Sequence, residues 1–374
     1  MSQITEEKIL ETLATIMDGG QNIVEKGMVQ GLQVQDGHVI FAIVVDPQVG
    51  AKAEPVRKEA EQAVHALDGV LSATVVLTAD KEEGQAQAAP HAHGDHSHGP
   101  APAEDGPLLP DVKALIAVAS GKGGVGKSTT TVNLALALRD QGLKVGLLDA
   151  DIYGPSMPRM LGISGEPNSS DGKRLDPMEG HGIKCMSMGF LVEEETPIIW
   201  RGPMTQSALM QMMRDVNWGD LDVLMIDMPP GTGDVQLTMA QQVPLTGVVI
   251  VSTPQDIALL DARKGLNMFR QVDVPVLGIV ENMSYFQCPK CGERTNVFSH
   301  GGAREEAELL QADFLGEIPL DIKIRETSDS GHPIVDASPD SPHAAAYKAI
   351  AEKVWNSACA KIEAKAASAP KIVQ

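Results

Sequence analysis

Residues 114–139 read ALIAVASGKGGVGKSTTTVNLALALR, in the order of a strand, a glycine-rich loop and a helix. Ala114–Ala119 is a short unbroken apolar run, as a strand buried on both faces requires. Gly121-Lys-Gly-Gly-Val-Gly-Lys127-Ser128 then satisfies the spacing G-x-x-x-x-G-K-[ST], and the stretch from Thr129 to Arg139 is helical in character. Gly121, Gly123, Gly124 and Gly126, with Val125 among them, let such a loop wrap its backbone N–H groups round phosphates, and the helix N-terminus adds positive potential. Lys127 is expected to meet the β- and γ-phosphates and Ser128 to ligate Mg²⁺. The loop is expected to lie outside the core, so that Lys127→Ala removes nucleotide-dependent function and leaves folding largely intact.

Downstream, the apolar runs Val145–Leu148, Val223–Ile226, Val248–Val251 and Val276–Val280 alternate with helical stretches. That alternation predicts an α/β domain with a mostly parallel sheet flanked by helices. Asp227 closes the run VLMID at the C-terminal edge of its strand, where a carboxylate can hold the waters of a bound metal. Asp149 and Asp151 end KVGLLDAD on the same edge and can sense Mg²⁺ or orient an attacking water, or cap helices. Pro229-Pro-Gly231-Thr-Gly-Asp234 follows directly, and its glycines make it a candidate switch that presents an amide to the γ-phosphate. Tyr347, Ile350, Val354 and Ile362 recur at helical spacing near the C-terminus, which predicts a helix docked on its own domain.

Upstream, residues 1–80 read as a small α+β domain. A helix capped by Thr5 carries Ile9, Leu10, Leu13, Ile16 and Met17, and a hairpin turns at Asp36-Gly37 with Val39, Phe41, Ile43 and Val45 on its return strand. A second helix begins at Pro55, and Val70–Leu77 reads as a third strand. Residues 81–110 lose all periodicity to Ala, Pro, Gly and His and read as a flexible linker, with His91, His93, His96 and His98 as adventitious metal ligands. The second domain is expected over 111–365, and 366–374 is a tail.

The 374 residues carry a net charge of −20 and only 3% aromatic residues, which argues against nucleic acid and anionic lipid as partners. No apolar run reaches the length of about 20 residues that a membrane helix needs, and MSQITEEKIL is not a secretory leader. Together these predict a cytoplasmic protein. The four cysteines do not make a disulfide framework; Cys185 and Cys359 are isolated, whereas Cys288-Pro-Lys-Cys291 has metal-binding spacing. Two thiolates are half of a four-ligand site, so two copies related by a two-fold axis would complete it. A zinc knuckle finished by other ligands such as His300, or a redox dithiol, fits the same pair.

Lys122 is a second lysine in the loop, and either stands in solvent or serves a partner. The GKGGVGKST segment resembles the deviant Walker A signature of the MinD/ParA/nitrogenase-iron-protein superfamily, which implies that Lys122 reaches across a dimer to the partner's ATP. Together with IIWRGPM (198–204), WGDLDVLMIDMPPGTGD (218–234), VENMSYFQCPKCG (280–292) and GHPIV (331–335), it resembles the Mrp/ApbC/Nbp-type iron–sulfur cluster carrier ATPases. The resemblance implies a homodimer bridging a labile [4Fe–4S] cluster through Cys288 and Cys291, with slow ATP hydrolysis coupled to loading or transfer. Scaffold donors and apo-protein clients are the implied partners. It also implies that Gly123–Thr129 hold the phosphates, that Ser128 and Asp227 stand at Mg²⁺, and that Asn282 contacts the adenine base. Residues 1–80 resemble the small iron–sulfur assembly domain of bacterial members, without the cysteine that domain commonly carries. The alternative is a MinD/ParA-like ATP-dependent positioning switch with a structural zinc clasp. The methionines of 204–213 suit either an adaptable interface or helix core.

Overall fold

The computed structural model describes residues 5–18, 21–35, 38–45, 54–67, 70, 72–79, 108–170, 172, 174–192, 202–299 and 301–368. The linker histidines, the Asp36-Gly37 turn, Ile198–Arg201, His300 and the last six residues of the tail lie outside them. The chain divides into two compact units, Met1–Gly99 and Pro100–Gln374.

In the first unit the elements are α1 (Glu6–Leu13), β1 (Met17–Asp18), β2 (Gln21–Asn22), β3 (Val29–Gln35), β4 (His38–Val45), α2 (Glu54–His65) and β5 (Ser72–Ala79). β3 and β4 pair antiparallel, β4 and β5 parallel. Ile9, Leu13, Phe41, Ile43, Ala60, Val64 and Val75 form its core. Two local expectations are corrected. Thr5 occupies the N-cap position of α1 but its side chain makes no capping hydrogen bond. The helix stops at Leu13, because Thr15 and Ile16 donate their amides three residues back, to Thr12 and Leu13, in a tightened last turn. Ile16 still reaches the core, whereas Met17 starts β1 and is 56% exposed.

The second unit contains β6 (Val112–Ala119), α3 (Lys127–Asp140), β7 (Val145–Asp149), α4 (Met157–Met160), β8 (Met178–Gly180), β9 (Ile183–Ser187), α5 (Gly202–Arg214), β10 (Leu221–Asp227), α6 (Asp234–Gln242), β11 (Gly247–Ser252) and α7 (Asp256–Gln271). It continues through β12 (Val276–Glu281), β13 (Phe286–Gln287), β14 (Arg294–Thr295), α8 (Gly302–Leu309), β15 (Phe314–Glu317), α9 (Ile322–Asp329), α10 (Ile334–Ala337) and α11 (Pro342–Ser368). One sheet runs β15-β12-β11-β6-β10-β7-β9-β8, and only β8 is antiparallel to its neighbour. The predicted α/β class, with helices on both faces of a mostly parallel sheet, is the observed one.

Alternation along β6 builds two cores. Ile116 and Val118 face Leu134 and Leu138 of α3 and Tyr347 and Ile350 of α11. Leu115, Ala117 and Ala119 face Leu209 of α5, Met239 of α6, and Leu266 and Phe269 of α7. Both faces of the strand are dry, which is why its sequence is continuously apolar. Met212 and Met213 are buried, so this part of the methionine-rich helix is core. α11 docks by Tyr347, Ile350 and Val354, as its periodicity predicts.

Candidate nucleotide cleft and cysteine hairpin

Strand register assembles the acidic cluster. β10 lies between β6 and β7, and in that register Asp227 is the direct neighbour of Asp149, which is in turn the neighbour of Ser187 on β9. All three stand at the C-terminal edge of the sheet, where the loop leaves β6 and enters α3. Gly124 and Gly126 adopt φ of 80°, the left-handed conformation that admits glycine freely. At Gly126 a side chain would also strike Asn282, since a Cβ there would lie 2.2 Å from Asn282 Nδ2.

Lys127, expected to lie outside the core, is buried at 6% exposure. Its Nζ donates to Asp227 Oδ2 at 2.7 Å and to Ser128 Oγ at 3.2 Å, and stands 3.9 Å from Asp151 Oδ2. Ser128 Oγ donates to Asp227 Oδ2 at 2.6 Å, and Thr131 Oγ1 to Asp227 Oδ1 at 2.7 Å. Asn282 Nδ2 donates to Val125 O at 2.8 Å, tying the loop to the end of β12. Gly231 donates its amide to Ser120 O at 3.0 Å, so the switch candidate is docked on the loop. Lys122 makes no ion pair among the described residues, and its carbonyl accepts from Ser120 Oγ at 2.9 Å.

Gly121 is fixed by a close approach to α7. A Cβ there would lie 2.2 Å from the carbonyl carbon and oxygen of Asp261. Because those atoms are backbone, the contact is not relieved by a rotamer change. Gly121→Ala is expected to cost about 1–3 kcal/mol of stability and to lift the loop off α7, read as a lower urea midpoint with weakened nucleotide affinity. A midpoint equal to wild type would show that the loop and α7 separate freely.

The cleft beside the loop encloses about 550 Å³ and is lined by Gly123, Gly124, Gly126, Lys127, Ser128, Thr129, Asp151 and Asn282. These donors fit a polyphosphate with its Mg²⁺: backbone amides and an ammonium for the phosphates, a hydroxyl and carboxylates for the metal. Ser156 adds an independent sign of fit. It lines the same cleft, and its Oγ is buried with no hydrogen-bond partner. The cleft continues past the loop to Arg159, Met283, Pro319, Leu320, Asp321 and Arg325. Sequence reading missed Ser156 and these residues. They come from four separate segments and carry no common motif.

Asp149 is held by Ser187 Oγ at 2.9 Å and by the amides of Ser156 at 3.0 Å and Met157 at 3.2 Å. Burial, reinforced by the Asp227 charge beside it, nevertheless pushes its carboxyl up to about 7. Burial also raises Asp151, against the pull of Lys127. Between its ordinary value of 3.8 and about 7, folded Asp149 keeps a proton that the unfolded chain has lost. Stability is therefore expected to fall as pH rises across that window and to level off above it. Asp149→Asn should flatten the slope between urea midpoints taken at about pH 5 and about pH 8. A slope unchanged in the variant would place the buried proton elsewhere.

Cys288 and Cys291 are not part of the cleft wall. They sit in the turn of the antiparallel hairpin β13–β14, with Cys288 half-buried and Cys291 exposed. Cys288 donates its amide to Glu293 O at 2.9 Å, and Gly292 donates to Cys288 O at 2.8 Å. The amides of Cys291 and Lys290, then the Cys291 thiol, point at Cys288 Sγ and lower its pKa, favouring a thiolate. Among the described residues no group of three or more His, Cys, Asp or Glu side chains is gathered to hold a metal ion. Cys185 is fully buried, and burial pushes its thiol well above the ordinary value.

A glycine-rich loop leaving the central strand of a parallel sheet, with its lysine and serine meeting a strand-end carboxylate, defines a P-loop nucleoside triphosphatase. The chain belongs to the NUBPL iron-transfer P-loop NTPase family, whose sequence model matches residues 111–355. A second model, that of an iron–sulfur cluster assembly protein, matches residues 6–75. The iron–sulfur cluster transfer protein NUBPL of Mus musculus is 58% identical over 245 residues, 65% of this chain and 77% of the relative. The iron–sulfur cluster carrier protein of Synechocystis sp. is 44% identical over 358 residues, 94% of this chain and 97% of the relative. A nucleotide-binding protein from Archaeoglobus fulgidus, solved in complex with ADP, is 44% identical with a TM-score of 0.54, covering 60% of this chain and 88% of that one. The cell division ATPase MinD of Pyrococcus furiosus shares the fold, with 22% identity and a TM-score of 0.50 over 65% of this chain and 99% of that one. The family resemblance read from the loop, the PPGTGD segment and the cysteine pair is thereby borne out.

Proposed function

We propose that this protein is an ATP-binding and ATP-hydrolysing iron–sulfur cluster carrier, whose cargo is a labile [4Fe–4S] cluster held by Cys288 and Cys291 of two copies. The observation that carries the reading is the thiol pair of half-buried Cys288 and exposed Cys291, half a ligand set, on a hairpin that follows directly from the wall of the nucleotide cleft. The names of the relatives support iron–sulfur transfer as the activity. A scaffold protein would supply the cluster and apo-proteins would receive it. The net charge of −20 favours neither nucleic acid nor anionic membrane as a partner, no helix among the described residues is long and apolar enough to cross a membrane, and we assign the protein to the cytoplasm.

In this reading the amides of Gly123–Thr129 and the Lys127 ammonium hold the phosphates, and Asn282 meets the base. Ser128 and Asp227 hold Mg²⁺, which when bound neutralises the charge that builds on the phosphates. Lys127 then exchanges its partner Asp227 for phosphate oxygens. Asp151 orients the attacking water, Asp149 supports that edge from below, and Gly231 reports the γ-phosphate. Lys122 stabilises transition-state charge in the second copy. Residues 1–80 would serve assembly, 81–110 would link, and 111–365 would carry both nucleotide and cluster.

Cluster transfer tests the proposal. The anaerobically loaded protein, freed of unbound iron and sulfide, is mixed with an apo-enzyme whose activity requires [4Fe–4S]. Acceptor activity is expected to return in step with loss of the carrier's cluster absorption. Recovery no faster than with free iron and sulfide would overturn the carrier role. For the dimer, mixed Lys122→Ala and Lys127→Ala copies should regain turnover that neither has alone, because one site of a mixed pair is then complete. No gain on mixing would remove Lys122 from the partner's site.

A further inference from the structure

We propose that Asn282–Gln287 is a stiff connector through which occupancy of the nucleotide cleft sets the cysteine hairpin, with Arg294 and Glu317 as the positioning residues that lock its far end. The inference rests on the nucleotide and cluster assignments above and adds the route between them. It also specifies that occupancy of the cleft, rather than the γ-phosphate, is what the hairpin senses.

The near end lies in the cleft. Asn282 and Met283 line it, as do Pro319, Leu320 and Asp321 on the facing segment. Those two segments are laddered together as they leave the cleft. Ser284 donates its amide to Ile318 O at 3.0 Å, Leu320 donates to Tyr285 O at 2.7 Å, and Phe286 bridges Leu320 in parallel register. Ser284 Oγ donates at 2.6 Å to Glu281, a fully buried carboxylate that also accepts the Ala303 amide of α8 at 2.7 Å. The next residues, Phe286 and Gln287, are β13, and Cys288 follows at once.

The far end is clamped. The Arg294 guanidinium on β14 lies 3.7 Å over the Tyr285 ring, and its Nη2 donates to Glu317 Oε2 at 2.8 Å. Glu317 ends β15, immediately before the cleft-lining strand exit, and also meets Arg304 at 3.6 Å. One guanidinium therefore joins the returning arm of the hairpin to the connector and to the sheet edge. A hydrogen-bonded backbone ladder with a clamped end transmits a displacement that a loop would absorb. Since the connector touches the loop at Val125 O and lines the cleft at Met283, whereas Gly231, the residue assigned to the γ-phosphate, is docked on Ser120 O, ADP is sufficient to engage it.

The test follows the alkylation of each cysteine by mass spectrometry in the reduced, metal-free full-length chain, with and without ADP. Half-buried Cys359, remote in sequence on α11, is the internal reference. ADP is expected to change the rates at Cys288 and Cys291 by about 5-fold or more, and to leave Cys359 unchanged. In Arg294→Ala and in the milder Glu317→Gln, ADP affinity by calorimetry should be retained while that ratio falls to about one, the value for uncoupled sites. A merely structural clamp would raise the rates equally with and without ADP and preserve the ratio, which would overturn the positioning role. ADP that binds wild type without changing either rate overturns the connector itself. ADP that fails to bind overturns the nucleotide assignment and the connector with it.

Discussion

Lys127→Ala is expected to lower ATP turnover by about 10²–10³-fold and to destabilise the nucleotide-free chain by about 3–5 kcal/mol. The first effect follows from removing the ammonium that the proposed reading assigns to the phosphates. The second runs against the sequence-based expectation that the loop lies outside the core. Lys127 stands among three carboxylates, 2.7 Å from Asp227 and 3.9 Å from Asp151, with Asp149 beside Asp227 in the register. Asp227 is fully buried, so truncating its cation strands a charge that Ser128 and Thr131 hydroxyls only partly satisfy. The double variant Lys127→Ala/Asp227→Asn separates the effects. It should recover much of the stability, because the stranded charge is gone, and none of the turnover. Urea midpoints and phosphate release measure the two. A single variant as stable as wild type would show that the buried pair contributes nothing in solution, and wild-type turnover would take Lys127 off the phosphates.

The parallel sheet was legible because β6, β7, β10, β11 and β12 are buried on both faces and their apolar runs are unbroken. The strands without such runs lie toward the sheet edges. β15 is four residues long and ends in Glu317, and β9 carries Lys184, whose ammonium reaches Trp218 O at 2.7 Å. Such a residue breaks an apolar run without breaking the strand. The loop, its lysine and the strand-end aspartates were legible because phosphate chemistry fixes both residue types and spacing. What was hidden is non-local. Neither the partnership of Asp149 with Asp227 nor its raised carboxyl can be read without the strand order, since 77 residues separate neighbours in the register. Ser156, Arg159 and Arg325 likewise reach the cleft only through the fold.

The same non-locality bears on the cysteines. In sequence, Cys288 and Cys291 belong to a short polar stretch with no evident tie to the loop more than 150 residues earlier. In the structure the hairpin grows out of the β12 exit, whose Asn282 touches the loop at Val125 O. In the proposed reading the cargo is exposed for handover on a short hairpin, and the nucleotide is sheltered in the cleft from whose rim that hairpin extends.

Replacing both Cys288 and Cys291 with alanine is expected to abolish cluster loading, from about four iron and four sulfide per two chains to none, while ATP affinity is unchanged. The ATP prediction follows from geometry, since neither side chain lines the cleft. The loss is expected to be complete because no substitute ligand is available among the described cysteines. Cys185 is sealed within β9 with its thiol pushed well up by burial, and burial also raises Cys359. The Cys288 thiol is lowered by surrounding donors, and Cys291 shares its turn. Anaerobic reconstitution of wild type and double variant, with iron, sulfide and zinc quantified beside the mass of the assembly, reads the result. Iron retained in the variant would move the ligands elsewhere in the chain. Tightly held zinc without iron in wild type would make the pair a structural clasp between copies. The nucleotide cycle would then govern association rather than cargo, and a positioning switch of the MinD kind would become the leading account of the chain.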